Sequence, residues 1–172
     1  MLFLRQFIAA VVLVTITLAA QSAGVAALIE WAKAHLNKGV DRFGWVRATM
    51  LVVRFTSMII CLHLAEILLW ACFFRWQCLP TWESAFYFSA SSYSTVGYGD
   101  IVLPWMWRVL GPVEGLTGVL MCGVSVSLLF AIVARLVKRD EEKELTKMFS
   151  RTISRIEDAR ADEPTAGHKN KG

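Results

Sequence analysis

Apolar residues in this chain come in long blocks, not at the alternating spacings of a half-buried strand or a surface helix. A bilayer crossing takes about 20 predominantly apolar residues, and three blocks are long enough. The first runs from Phe7 to Ile29, with no charge between Arg5 and Glu30. The second, Phe55 to Phe74, is interrupted by His63 and Glu66; the third, Val109 to Ala134, only by Glu114. A shorter segment, Trp82 to Ser94, lies between the last two and runs directly into Thr95-Val96-Gly97-Tyr98-Gly99-Asp100. The pattern predicts an all-α integral membrane protein with three transmembrane helices plus one short re-entrant helix. Residues 1–30 read as an N-terminal anchor helix and 31–47 as a basic interfacial linker. Residues 48–139 read as one membrane module: an outer helix over 48–75, a short helix over 81–94, a loop over 95–100 and an inner helix over 108–137. Residues 140–172 form a charged, partly helical tail.

Charge fixes the orientation of these elements. Lys33, Lys38, Arg42 and Arg47 cluster after the first block, and the tail beyond Arg135 is also basic, so the positive-inside rule places both in the cytoplasm. The first block also has the features of a signal peptide: Arg5, an apolar core from Ile8 to Ala20, and the small residues Ala20-Gln21-Ser22-Ala23. Cleavage there would put the basic linker outside. A retained helix with its N-terminus outside fits both charge clusters and is preferred. Trp31 to Val46 reads as a helix at the cytoplasmic surface, broken by Gly39 and Gly44, and serves either as a plain linker or as a regulatory slide helix. In the tail, Leu145, Met148, Phe149, Ile153 and Ile156 fall at helical spacing to about Ala161, a stretch compatible with a short four-chain bundle; the polar end after Pro164 reads as disorder.

Composition narrows the function. At 172 residues with 56% hydrophobic content, the chain holds one modest membrane domain. Its net charge of +4 is spread over loops and tail without the basic-aromatic surface of a nucleic-acid binder, so no nucleic-acid partner is expected. Cys61, Cys72, Cys78 and Cys122 lack metal-ligand spacing, and a buried thiol acts as a small hydrophobe. No phosphate loop, nucleophile–base pair or metal motif points to an enzyme, a cofactor or a small-molecule substrate.

The loop from Thr95 to Asp100 carries the chemistry. Removing water from a small cation costs tens of kcal/mol in a low-dielectric setting, so a conducting path must replace the hydration shell with protein oxygens. Successive backbone carbonyls do this if they point to one side. Glycine supplies the left-handed geometry that such a turn-by-turn arrangement needs: Gly97 and Gly99 alternate with Val96 and Tyr98, whose side chains face outward and brace the wall. Thr95 adds a hydroxyl at the inner end. One loop cannot surround an ion, and rings of carbonyls in known filters of this architecture come from four loops, so with a single copy per chain a fourfold-symmetric homotetramer is the simple solution. Thr81 is placed to cap the short helix, Glu83 sits in its first turn, and its negative end aims at the membrane centre.

With these residues in place, the chain resembles, over roughly Phe55 to Arg139, the pore module of bacterial potassium channels of the simple type, whose filter carries this same motif. The resemblance implies passive, potassium-selective transport across a bacterial plasma membrane, with lipid and further copies of the chain as partners and potassium as the only metal. It also implies that Thr95, Val96, Gly97, Tyr98 and Gly99 line the ion path and that Asp100 anchors the outer mouth. Arg108 looks like the arginine that opens the inner helix in such channels, and Gly118 and Gly123 fall where they place inner-helix glycines. Gly118 is a candidate gating hinge or, equally, a close-packing residue in the stripe Gly111, Gly115, Gly118 and Cys122. Ser91 stands where some simple channels carry a glutamate nine residues before the filter aspartate. No arginine ladder suggests voltage sensing. The other readings are a non-conducting structural or sensory subunit with the pore fold, and a weakly selective cation channel.

His63, Glu66 and Glu114 need a reason to be in a membrane span. At about 1.5 Å per residue, Glu66 and Glu114 lie at similar depth, and His63 sits one turn below Glu66 on the same face. They are expected to form one buried polar cluster, acting either as a clasp between helices or as a proton-sensing gate.

Overall fold

The computed structural model describes residues 2–36 and 44–161. The elements are four α-helices: α1 (Leu2–Leu36), α2 (Gly44–Gln77), α3 (Trp82–Tyr93) and α4 (Leu110–Ala161), with a 3₁₀ turn at Trp105–Trp107. There is no strand among the described residues. Among the described residues, three stretches are long and apolar enough to cross a membrane: Phe3–Ala34, Ala48–Gln77 and Trp105–Lys138.

Helix ends differ from the sequence expectation where local chemistry allows extension. α1 continues six residues past 30, taking in Trp31–Leu36, which the sequence reading gave to a surface helix of its own. The remainder of that linker, 37–43, lies outside the described residues. Gly44, expected to break a helix, opens α2. A glycine at the first position of a helix avoids most of the penalty it carries in a helix interior. Trp105–Trp107 forms a separate turn behind Pro104, so α4 begins at Leu110 and not at 108.

The described residues fall into two compact units that divide between Ile132 and Val133. In the first, Ala10 and Leu13 of α1 share a core with Trp70, Phe74, Ala85, Leu103, Trp107 and Leu110. Edge-on aromatic contacts tie the same region together, Phe74 to Phe88 at 5.1 Å and Phe73 to Trp107 at 5.3 Å. Thr17 approaches Trp70 and Gly24 approaches Leu62, so α1 and α2 run antiparallel; α1 and α4 run the same way, with Val14 near Val113 and Gln21 near Met121. The N-terminus therefore lies on the same side as the 95–100 loop. In the second unit, Leu145, Met148, Phe149, Ile153 and Ile156 are all exposed on the helix, and Lys147 pairs with Glu144 at 3.0 Å. The tail beyond Ala161 lies outside the described residues.

Candidate functional site

α3 begins as its sequence dictates. Thr81 is extended and its hydroxyl accepts the Ser84 N–H at 3.1 Å, with Glu83 in the first turn, satisfying one of the free amides at a helix start. Its other end sets up the loop. Beyond the helix the N–H groups of Thr95, Val96, Gly97 and Tyr98 all point back at α3: Thr95 to the Ser92 carbonyl at 2.9 Å, Val96 and Gly97 to the Ser91 carbonyl at 3.0 and 3.1 Å, and Tyr98 to the Ser91 hydroxyl at 3.4 Å. Every peptide bond among the described residues is trans, and in a trans peptide the C=O lies opposite the N–H. The carbonyls of Ser94, Thr95, Val96 and Gly97 therefore face away from α3, on one side of the strand.

That arrangement requires unusual dihedrals. Gly97 and Gly99 have φ of +53° and +78°, and Thr95 has +62°. Val96 and Tyr98 stay at negative φ, so the handedness alternates residue by residue. The glycines accept this at little cost; for a β-branched threonine it is a true outlier. Val96 and Tyr98 are exposed in the single chain. With α3 and the start of α4, the loop borders a cavity of about 460 Å³, whose lining includes Phe88, Thr95, Gly99, Arg108 and Gly115.

At the far end of the loop, the Tyr87 hydroxyl donates to Asp100 Oδ2 at 2.9 Å, and Tyr87 stacks on Tyr98 with centroids 6.2 Å apart. Asp100 also accepts the Ile101 N–H at 3.1 Å. The Asp100 carboxylate beside it holds the Tyr87 phenol above its ordinary pKa. Ser91, in the place of the glutamate, offers its carbonyl and hydroxyl to the loop amides.

The three polar residues expected in one cluster fall into two. Tyr93 donates its hydroxyl to Glu66, and His63 Nδ1 lies 2.8 Å from the same hydroxyl and 3.3 Å from Glu66 Oε2. Glu114 instead meets Ser89, whose hydroxyl also lies 2.8 Å from the Ile67 carbonyl. The reason is geometric: Ser89 and Tyr93 sit one turn apart on the same side of α3, so each claims one carboxyl. Both carboxyls are almost fully buried, at 1% exposure for Glu66 and 0% for Glu114. A buried charge or dipole needs partners, and α3 supplies one hydroxyl to each carboxyl.

The glycines of α4 differ in what surrounds them. A Cβ on Gly111 would meet the Phe88 ring at 3.2 Å, one on Gly115 the Ser92 carbonyl oxygen at 3.0 Å, and one on Gly118 the Tyr93 carbonyl oxygen at 2.2 Å. These three glycines let α4 lie directly against α3, with Gly118 pressed on the last residue of that helix. Cys122, the fourth small residue of the stripe, is exposed. Gly123 is different: a Cβ there would meet no atom within 4 Å among the described residues.

A family model described as ion channel matches residues 49–135, about half of the chain. The chain belongs to this ion-channel family. No curated protein and no solved structure gives a match. The ion-channel match takes in nearly all of α2, then α3, the loop and the membrane part of α4, and leaves out α1.

Yet α1 is bonded into the ion-channel domain. Trp70 Nε1 donates to Thr17 at 3.0 Å, and Gln21 Nε2 donates to the Met121 carbonyl at 3.2 Å and to the Ser125 hydroxyl at 3.0 Å. The small residues that resemble a cleavage site, 20–23, lie in the middle of this packed helix, with Gln21 3% exposed. Sequence reasoning missed Thr17, Gln21, Ser89 and Tyr93. The available signal was Gln21, the single amide side chain in a block whose other polar side chains are the hydroxyls of Thr15, Thr17 and Ser22.

Proposed function

We propose that four copies of this chain assemble around a central axis as a potassium-selective channel of a bacterial plasma membrane, with the N-terminus outside and the C-terminus cytoplasmic. The observation that carries the reading is the set of consecutive carbonyls turned away from α3. Four such strands facing one another present stacked rings of oxygens in place of water, and α3 then reads as the re-entrant pore helix. Thr95, Val96, Gly97, Tyr98 and Gly99 line the path in this reading, and Asp100, held by Tyr87, fixes its outer end. Exposed Leu116, Val119, Leu120, Val126 and Phe130 on α4 supply an apolar surface for lipid and neighbouring copies. Loop backbone open to lipid is not tolerated in a bilayer, which favours assembly.

Transport is passive: the protein lowers the barrier and the ion gradient sets the direction. The test is reconstitution of the purified chain in liposomes, with its mass measured in detergent. A tetramer passing potassium far faster than sodium is the expected result. A monomer, a silent tetramer or equal sodium flux would each overturn the proposal, the last in favour of a weakly selective cation channel.

A further inference from the structure

We infer that Gln21 of α1 is a positioning residue that clamps the inner helix across Gly123, making α1 a working part of the channel and not only an anchor; this rests on the channel reading above. The two groups that Gln21 Nε2 binds lie on opposite sides of one glycine: the Met121 carbonyl at 3.2 Å, before Gly123, and the Ser125 hydroxyl at 3.0 Å, after it. One amide nitrogen carries two hydrogens, so a single side chain bonds both partners at once. Gln21, Met121 and Ser125 are 3%, 3% and 4% exposed, so water does not compete for these bonds.

In this reading α4 bends at Gly123. A glycine weakens a helix interior, and the space around Gly123 is open, whereas Gly118 is pinned on the Tyr93 carbonyl. Bending at Gly123 changes the distance between the Met121 carbonyl and the Ser125 hydroxyl. Gln21 cannot hold both after such a change, so its bonds favour the straight helix. The clamp adds to the other tie of α1, the Thr17–Trp70 bond to α2, which leaves α1 fixed when α4 moves.

The test measures hydrogen exchange of the inner-helix amides over residues 121–127 in the purified, full-length protein, alongside open probability in planar bilayers. Gln21→Leu keeps the bulk of the side chain and removes both bonds. Interhelical hydrogen bonds in membranes are individually modest, so the expected change is a rise of about three- to tenfold in exchange and in the odds of opening. Ser125→Ala removes one bond and is expected to give a smaller rise, and it serves where Gln21→Leu fails to fold. The decisive arm is the Gly123→Ala background: with the flexible point stiffened, Gln21→Leu is expected to change little. A merely structural loss would persist there. Unchanged exchange in both single variants, or an undiminished Gln21→Leu effect in the Gly123→Ala background, overturns the clamp. Exchange does not depend on conduction, so a silent parent protein would sink the channel reading and leave the clamp to be judged by exchange alone.

Discussion

Adding one methyl group at each α4 glycine tests the packing of α4 on α3. Alanine gains about 1 kcal/mol over glycine in a helix interior. Against that gain stands the collision. At Gly118 the new Cβ would sit 2.2 Å from the Tyr93 carbonyl oxygen, more than 1 Å inside the 3.4 Å at which ordinary contact begins. Both partners are backbone, so neither can swing aside, and overpacking costs of about 1–3 kcal/mol apply at their upper end. The net loss is about 2 kcal/mol per chain, or roughly 4–8 °C in melting temperature for a chain of this size. At Gly115 the 3.0 Å contact with the Ser92 carbonyl about cancels the helix gain. At Gly111 the neighbour is the end of the Phe88 ring, 3.2 Å away, and a ring can yield. At Gly123 nothing opposes the gain. Thermal unfolding of the purified variants, followed by tryptophan fluorescence, should rank them 123 above 111, then 115, then 118. In the proposed potassium channel, Gly118→Ala should also lower potassium-over-sodium selectivity, because Tyr93 lies two residues before Thr95. A Gly118→Ala protein as stable and as selective as Gly123→Ala would refute the packing account and return Gly118 to the role of a free hinge.

Three further outcomes follow from the polar contacts. The Tyr87 phenol is held above its ordinary pKa by Asp100, so its contribution is complete below about pH 10 and is lost only as pH rises through the raised value. On the proposed function, potassium selectivity of the parent should therefore be flat from about pH 7 to 9 and fall at higher pH, while Tyr87→Phe should be impaired throughout with no such fall; a parallel fall in both would remove Tyr87 as its cause. Burial raises the Cys78 thiol from 9.0 to about 11, leaving roughly 100-fold less thiolate near pH 8 than an unshifted thiol. Maleimide labelling of Cys78 in a variant lacking the other cysteines should be slower by about that factor, and labelling at the rate of a free thiol would contradict the burial. Glu114→Gln keeps a partner for Ser89 and removes the titratable group. Its curve of current against pH should coincide with that of the parent if Glu114 is a clasp, and a displaced curve would make it a proton sensor.

Long apolar blocks made the three membrane-spanning helices legible, because length and composition alone decide that question. The α3 start was legible too, since Thr81 and Glu83 signal a helix N-terminus locally. The grouping of the polar residues was not. Depth along two helices placed Glu66 and Glu114 together, but which groups meet depends on the rotation of α3, and no periodicity of α2 or α4 contains that. Ser89 and Tyr93 read as ordinary residues of a short helix until α3 is seen lying between the two carboxyls. The glycine stripe showed that α4 approaches something closely; only the packing shows that Gly118 meets a carbonyl and Gly123 meets nothing. The end of α1 was misplaced because Trp31 and Lys33 suit a membrane surface equally well as the last turn of a spanning helix or as a separate one.

The polar groups in the membrane and the strained loop are best understood together. A non-glycine residue in the left-handed region costs about 1–3 kcal/mol and persists only where its surroundings over-determine it. Thr95 is such a residue, at φ +62°, and it follows directly on α3. That helix is held on separate sides: Gly111, Gly115 and Gly118 of α4 press on Phe88, Ser92 and Tyr93; Ser89 is bonded to Glu114 and the Ile67 carbonyl; Tyr93 is bonded to Glu66 beside His63. The last turn of α3 supplies the carbonyls of Ser91 and Ser92 that fix the Thr95, Val96 and Gly97 amides. Any rotation of α3 would move those acceptors and release the loop. Buried carboxyls are costly in a bilayer, and a purely apolar interface would allow α3 to slip around its axis. Directional bonds to Ser89 and Tyr93 do not. The carboxyls therefore stabilise one rotation of one short helix, and through it the side of the strand on which the carbonyls emerge.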